Sequence, residues 1–308
     1  MGGCLMAKGK VTMKDIAKEL NISLATVSYV INHSEKEKIS HDMRLKVLET
    51  AKRMGYVPNL SARSLVNRKS NLVGIMIHLK PDDPMTKKQY YYDLAAHLQG
   101  ELHQIGYDTV ISMTHDLENI DIISKRSLEA AFIIDVDEKH FKKITSQYYV
   151  PIIFMDCDVE LQLFYKVLPD YTFLLNQAKR MLGEPYPYLI MEDVINGKVR
   201  NTLMRDFKQE DIFIHKRHAD MKAFLERHIG KKGIVIGENL GVQVERYIDS
   251  SQIVVIASGA ARETLLPYTR YIEVSNKRKA EMGVHILKQL LTLEYDEAAE
   301  TRILMLPD

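Results

Sequence analysis

The residues between Leu24 and His33 combine small apolar, aromatic and short polar side chains at helical spacing, a set suited to contact with another surface. Val27, Val30 and Ile31 share one face at helical spacing, which leaves Leu24, Ala25 and Tyr29 pointing the other way. Leu24 and Ala25 offer only apolar contact, of the kind a thymine methyl accepts, and Tyr29 can donate or accept one hydrogen bond. Thr26, Ser28, Asn32 and His33 have short polar groups suited to phosphate oxygens, contacts that fix register without reading sequence. The same groups also serve in helix capping and solvation, so their spacing alone leaves both roles open.

These side chains need a small scaffold to position them. Thr12 followed by Asp15 forms a capping pair, and Ile16, Ala17 and Leu20 fall on one face, which predicts a first helix over about 13–20. Asn21-Ile22 makes a turn, Ser23 caps a short second helix through Ile31, and Ser40 caps a third. Val47, Leu48, Ala51 and Met54 supply the stripe of that third helix, and Gly55 stands where a left-handed cap is wanted. Helix, tight turn and short outward helix is the helix-turn-helix arrangement, whose second helix enters the DNA major groove. Charge agrees: residues 1–70 hold 13 Lys plus Arg against 6 Asp plus Glu, while the remainder holds 29 against 35. A basic front end joined to an acidic body suits a segment that displaces counterions from a phosphate backbone, so binding should weaken steeply with salt.

The runs Ala25–Asn32 (ATVSYVIN), 54–59 (MGYVPN) and 62–65 (ARSL) resemble the DNA-binding headpiece and hinge of the lactose-repressor (LacI/GalR) family, over about residues 11–75. The resemblance implies that Leu24, Ala25 and Tyr29 occupy the base-reading positions. Many relatives carry Arg where this chain has Tyr29, so a guanine contact does not transfer. Thr12 and Ser23, at the helix starts, join Thr26, Ser28, Asn32 and His33 as phosphate-contact candidates. Pro58-Asn59 restarts the chain into one short helical segment from Leu60 to Val66, too short to be stable alone. By resemblance it is a hinge that orders when two subunits pair on an operator, with Leu65 wedged into the minor groove beside Ala62 and Arg63. Packing of Leu65 on the neighbouring domain is the alternative.

After the hinge the pattern becomes alternating strands and helices. Strands are expected at 72–77, 109–113, 131–136 and 150–155, then near 188–191, 233–236, 253–257 and 302–306. Helices are expected at about 90–105 and 277–293, with helix-length stretches at 119–127 and 138–147. Such βα series predict parallel sheets, here two lobes with a cleft between them, similar to the periplasmic-binding-protein fold of the family's effector domains. The expected organisation is a flexible leader over 1–10, an all-α headpiece over 11–58, a hinge over 59–70, and a two-lobed effector-binding and dimerisation domain over 71–308. Lobe 1 takes about 71–170 plus a C-terminal crossover segment, and lobe 2 about 185–308.

Composition fits this reading. The chain of 308 residues is 46% hydrophobic, enough for a sizeable core, and no apolar run approaches the ~20 residues that cross a membrane. Cys4 and Cys157 make no disulfide framework and no secretory signal is visible, so a cytoplasmic location without membrane association is expected.

In the cleft the family pattern carries over unevenly. Tyr90 and Tyr91 fall where an aromatic pair opens the first helix and could stack on a ring, and Asp170 matches an acidic position that accepts hydroxyl bonds. Arg200 lies near the family's cleft arginine, Gly237-Glu238 replaces an Asn-Asp pair, and Ile256-Ala257-Ser258-Gly259 lacks the sugar-clamping aspartate. The expected partners are therefore a double-stranded operator, a second copy of the chain, and either a small effector (a sugar or related metabolite) or a protein co-regulator; the alternative is a degenerate cleft in an effector-independent regulator. Enzyme readings find little support. His215-Lys-Arg-His218 reads as a solvated basic loop, Gly237 and Gly241 lack a phosphate-loop pattern, and Asp135-Val-Asp137-Glu138 reads as a strand end and helix start. No metal, cofactor or catalytic residue is expected.

Overall fold

The computed structural model describes residues 11–31, 39–54, 56, 70–114, 128–147, 150–292 and 300–308. Three helices form the headpiece: α1 (Met13–Leu20), α2 (Leu24–Ile31) and α3 (His41–Arg53). At the start of α1, Thr12 donates to the Asp15 carboxylate from both its backbone N–H (2.8 Å) and its hydroxyl (2.7 Å), and these bonds lower the Asp15 pKa, the hydroxyl bond most. Asn21 takes the left-handed conformation (φ 52°) that ends α1 and makes the turn. Ser23 Oγ accepts from Thr26 N (2.9 Å), and Ser40 caps α3 through Met43 N. Ile16, Ala17, Val27, Val30, Ile31, Val47, Ala51 and Tyr56 close one small core. The expected cap at Gly55, the stretch at 119–127, and the hinge residues Ala62, Arg63 and Leu65 lie outside the described residues, as do Asn32 and His33.

The larger domain runs β1 (Leu72–His78), α4 (Met85–Gln104), β2 (Asp108–Thr114), β3 (Ala130–Ile134), α5 (Glu138–Gln147), β4 (Ile152–Met155) and β5 (Tyr165–Pro169). It continues with α6 (Tyr171–Leu182), β6 (Tyr188–Glu192), α7 (Gly197–Met204), β7 (Ile212–His215), α8 (Met221–Arg227), β8 (Gly233–Ile236), α9 (Glu238–Val244) and β9 (Ile253–Ala257). Last come α10 (Ala261–Thr264), β10 (Arg270–Glu273), α11 (Asn276–Thr292) and β11 (Arg302–Met305). One parallel sheet has the order β11-β5-β4-β3-β1-β2 and the other β10-β9-β8-β6-β7, with every pairing parallel.

Two boundaries differ from the expectation. The helix at α6 packs against β8 and β9, so lobe 2 begins near 171 and not near 185. The final helix and strand do not complete the second series: β11 pairs with β5 and α11 packs on α4, so both belong to lobe 1 as its crossover segment. The chain thus passes between lobes near Asp170 and again near Ser275. The short strands β5 and β10 were not legible, because mixed sequences such as Tyr-Lys-Val-Leu-Pro at 165–169 show neither clean alternation nor a pure apolar run, and the apolar part of β7, Ile212-Phe213-Ile214, is only three residues long.

Candidate nucleic-acid interface and interlobe cleft

On α2 the inward anchors Val27, Val30 and Ile31 are buried, Leu24 is 43% exposed, Ala25 is exposed and Tyr29 is half-buried. The three residues expected to read bases therefore share the outward side of a helix whose other side is fixed in the core. Of the phosphate candidates, Thr12 already spends its hydroxyl proton on Asp15 and can only accept while that bond lasts. Ser23 Oγ and Thr26 Oγ1 lie 2.8 Å apart, so one of the two donates to the other and one hydroxyl proton remains for a phosphate oxygen. Ser28 is half-buried.

Both sheets present their C-terminal strand ends to the cleft, where sheets of this kind bind ligands at the points of strand-order reversal. Tyr90 and Tyr91 meet there edge to face, their ring centroids 5.2 Å apart. Each hydroxyl is bonded to an acid: Tyr90 to Asp156 (2.8 Å) and Tyr91 to Asp135 (2.7 Å). Burial, and then the neighbouring carboxylates, raise both phenol pKa values well above normal, so both stay protonated donors. The two acids follow directly on β3 and β4 in left-handed conformations, φ 51° at Asp135 and 52° at Asp156, which Asp tolerates better than most residues.

Two lysines complete the arrangement. Lys279 of α11, fully buried, donates to both Asp156 oxygens (3.0 and 2.9 Å) and to Tyr90 Oη (2.7 Å), which engages all three of its protons. Lys87 of α4 donates to Asp193 O (2.7 Å), 3.2 Å from Asp83 and 3.6 Å from Asp135. Desolvation raises the Asp135 pKa, while Lys87 and the N–H groups of Asn196 and Ile195 oppose it. Across the cleft Glu238 accepts from Ser258 N (2.9 Å), Ser258 Oγ (2.8 Å) and Ala260 N (3.2 Å). What remains is a partly open cavity of about 70 Å³ walled mainly by Tyr90, Tyr91, Tyr171 and aliphatic residues such as Met191, Leu203 and Ile256. Ligand pockets commonly span about 300–1,000 Å³.

Three of the five expected cleft residues line this cavity: Tyr90, Tyr91 and Glu238. Asp170 does not; it caps α6 by accepting from Phe173 N (3.0 Å). Arg200 is also outside it, paired with Asp193 at 2.8 Å. His215 is not part of a solvated loop but sits half-buried at the end of β7, its Nδ1 3.2 Å from Glu192. Asp135 is indeed a strand end, but a buried one with its carboxylate in the cleft. Missed altogether were Lys87, Asp156, Asn196 and Lys279. A signal existed for the lysines: Lys87 falls on the buried face of α4 with Tyr91, Leu94 and Leu98, and Lys279 on that of α11 with Ala280, Gly283 and Val284. A charge on an apolar stripe at helical spacing is the mark of a buried, paired group.

Residues 12–59 match the family described as bacterial regulatory proteins, lacI family. Catabolite control protein A of Staphylococcus epidermidis is 27% identical over 67% of this chain and 65% of its own length. Its namesake from Priestia megaterium is 37% identical over 33% of this chain and 28% of its own length. The chain therefore covers less than two thirds of the length of these relatives. A lac repressor dimer bound to operator and the anti-inducer ONPF is similar in fold over 97% of both chains, with a TM-score of 0.62 and 17% identity. The regulator CelR in complex with cellobiose has a TM-score of 0.60 at 15% identity, covering 97% of this chain and 98% of that one. At these identities the two structures speak for the fold: helix-turn-helix helices followed by a two-lobed parallel α/β domain of the periplasmic-binding-protein kind. Among the described residues, no helix is long and apolar enough to cross a membrane.

Proposed function

Because residues 12–59 match the lacI family, we propose that the chain is a LacI/GalR-type transcription factor, not an enzyme, that acts in the cytoplasm as a sequence-specific repressor. It binds a pseudo-palindromic operator as a homodimer. The observation that carries this reading is α2, held by Val27, Val30 and Ile31 and presenting Leu24, Ala25 and Tyr29 outward from a headpiece that matches the family model. In the groove, Leu24 and Ala25 contact thymine methyls and Tyr29 supplies one hydrogen bond, while the N-terminal turns around Thr12, Ser23 and Thr26 meet phosphates. Ala62, Arg63 and Leu65 form the minor-groove hinge between paired subunits. Pairing along both lobes has apolar side chains to bury: Ile111 and Met113 on the edge strand β2, and Leu266 and Tyr268 on lobe 2, are all exposed.

Control through the cleft has two readings, a small effector or a protein co-regulator. The small cavity, and the intramolecular partners of the charged groups around it, favour an altered or absent sugar site. A hydroxyl-rich ligand needs free hydrogen-bonding groups, and Glu238, Asp156 and Lys87 are already engaged. The test of the function is selection of bound sequences from a random DNA pool, with binding followed at two salt concentrations. An inverted repeat with a flexible central step, bound less tightly at high salt, is expected; salt-sensitive binding that enriches no motif would overturn it. Leu65→Ala should weaken specific binding more than non-specific binding, and equal losses would remove the wedge.

A further inference from the structure

The cross-lobe bonds of the cleft are made by the chain itself, and at its centre. Lys87 Nζ on lobe 1 donates to Asp193 O on lobe 2 (2.7 Å). In the other direction, the Asp135 carboxylate of lobe 1 accepts from Ile195 N (2.9 Å) and Asn196 N (2.9 Å), the backbone donors that lead into α7 of lobe 2. Asn196 extends the seam: its Nδ2 donates to Val136 O (2.8 Å) and Asp158 O (3.2 Å), and its Oδ1 accepts from Asp158 N (3.2 Å). Thr86 of lobe 1 also donates to Glu192 of lobe 2 (2.5 Å).

We infer that closure of the two lobes is self-sustained: Lys87, Asp135 and Asn196 form a built-in latch that does what a bridging ligand does in a two-lobed domain. A ligand that shuts such a domain does so by bonding to both lobes at once, and its closing power is its differential affinity for the closed state. Here the ammonium of Lys87 and the carboxylate of Asp135 occupy that role. Asp83, Tyr91 and the backbone of 195–196 satisfy what the two charges leave over. Lys87 is 2% exposed and Asp135 fully buried, so opening the cleft would strip both of partners while still partly desolvated. Two neighbouring charged sets, Asp156 with Lys279 on lobe 1 and Glu238 with Ser258 on lobe 2, are bonded within their own lobes and are untouched by opening. The latch is therefore separable from the rest of the cleft. A molecule that entered the cleft would have to displace Lys87 from Asp193 O before it could bridge the lobes itself.

The latch concerns the lobes alone and stands or falls independently of DNA binding. It is tested by electron–electron distance measurement on the full chain in the Cys4→Ser background, with spin labels at Lys142→Cys on lobe 1 and Lys222→Cys on lobe 2. Both side chains are about two-thirds exposed, and each pairs with a glutamate one turn away on its own helix. Without added small molecules, one narrow distance population is expected, and a mixture of glucose, fructose and glucose 6-phosphate should leave it unchanged. The double variant Lys87→Met/Asp135→Asn, which leaves no lone buried charge, should add a population at longer distance. If that variant fails to fold by circular dichroism, Asn196→Ala removes the side-chain part of the seam and should broaden the distribution in the same direction. A wild-type distribution that is already broad, that narrows on adding a sugar, or that the variants leave unaltered would overturn the latch.

Discussion

Replacing Lys279 by Met tests whether the buried pair with Asp156 is a structural necessity of lobe 1. The methionine keeps most of the stem and hence the packing of the side chain beside the Tyr90 ring, which the ammonium approaches to 4.8 Å. It removes three hydrogen bonds and strands Asp156, whose side chain is 5% exposed and is left with Tyr90 as its side-chain donor. Breaking one side of such a pair costs about 3–5 kcal/mol. That is a shift of roughly 10²- to 10⁴-fold in the unfolding equilibrium. With a urea slope of about 1–3 kcal/mol/M, the unfolding midpoint should fall by at least about 1 M. The assay is urea unfolding followed by circular dichroism at pH 7, alongside the double variant Lys279→Met/Asp156→Asn. Asn removes the stranded charge, can still accept from Tyr90 and tolerates the left-handed backbone at this position, so the double variant should recover most of the loss. A single-variant loss below about 1 kcal/mol, or a double variant no better than the single, would show that the charge of Asp156 is solvated some other way.

Other consequences follow from named contacts. Gly233→Ala places a methyl against the ring of the fully buried Tyr188 with no room for it, so it should cost about 1–3 kcal/mol by overpacking; an unchanged melting temperature would show that the ring has room to move. His78, buried against His140, has its pKa lowered to about 4, with burial the main cause. Its folded pKa lies below the free value of 6.5, so the neutral form is favoured and stability is lost as pH falls from about 6.5 towards 4. Melting temperatures across that window should drop less steeply in His78→Phe, and parallel curves would exclude His78 as the source. Tyr29→Ala should relax base preference at one symmetric pair of operator positions, at about 1 kcal/mol for a single hydrogen bond, and an unchanged selected motif would remove Tyr29 from base readout.

How far the sequence could be read depended on how local the determining interactions are. The headpiece was legible because its signals are local: Thr12 with Asp15, Ser23 with Thr26, Ser40 with Met43, and apolar residues three or four apart. The long buried strands β1 and β9 were legible as apolar runs. The cleft was not, since its partners are far apart in the chain: Lys87 meets Asp193, Asp135 meets Asn196, and Lys279 meets Asp156. Nothing near any one of these residues announces its partner. Asp170 shows the opposite failure, an acid in the place a family pattern reserves for a ligand contact, which its own helix uses as a cap. Tyr90 and Tyr91 were found from the pattern, but what they do, holding two acids in place, depended on residues 44 and 66 positions away.

The return of α11 and β11 to lobe 1 sets an order of assembly on the ribosome. The second sheet and its helices lie in one unbroken stretch from Tyr171 to Glu273 and can close as soon as that stretch emerges. The first sheet cannot: it lacks an outer strand, the helix that covers α4, and the ammonium of Lys279 until residues 276–305 have been made. A nascent chain whose residues up to about 275 have emerged, with 276–305 still to follow, would therefore carry a finished second lobe beside an unfinished first. In that first lobe, Asp156 and the edge of β5 are still exposed to chaperones or to pairing with another chain. The emergence of residues 276–305 is the step that completes the first lobe.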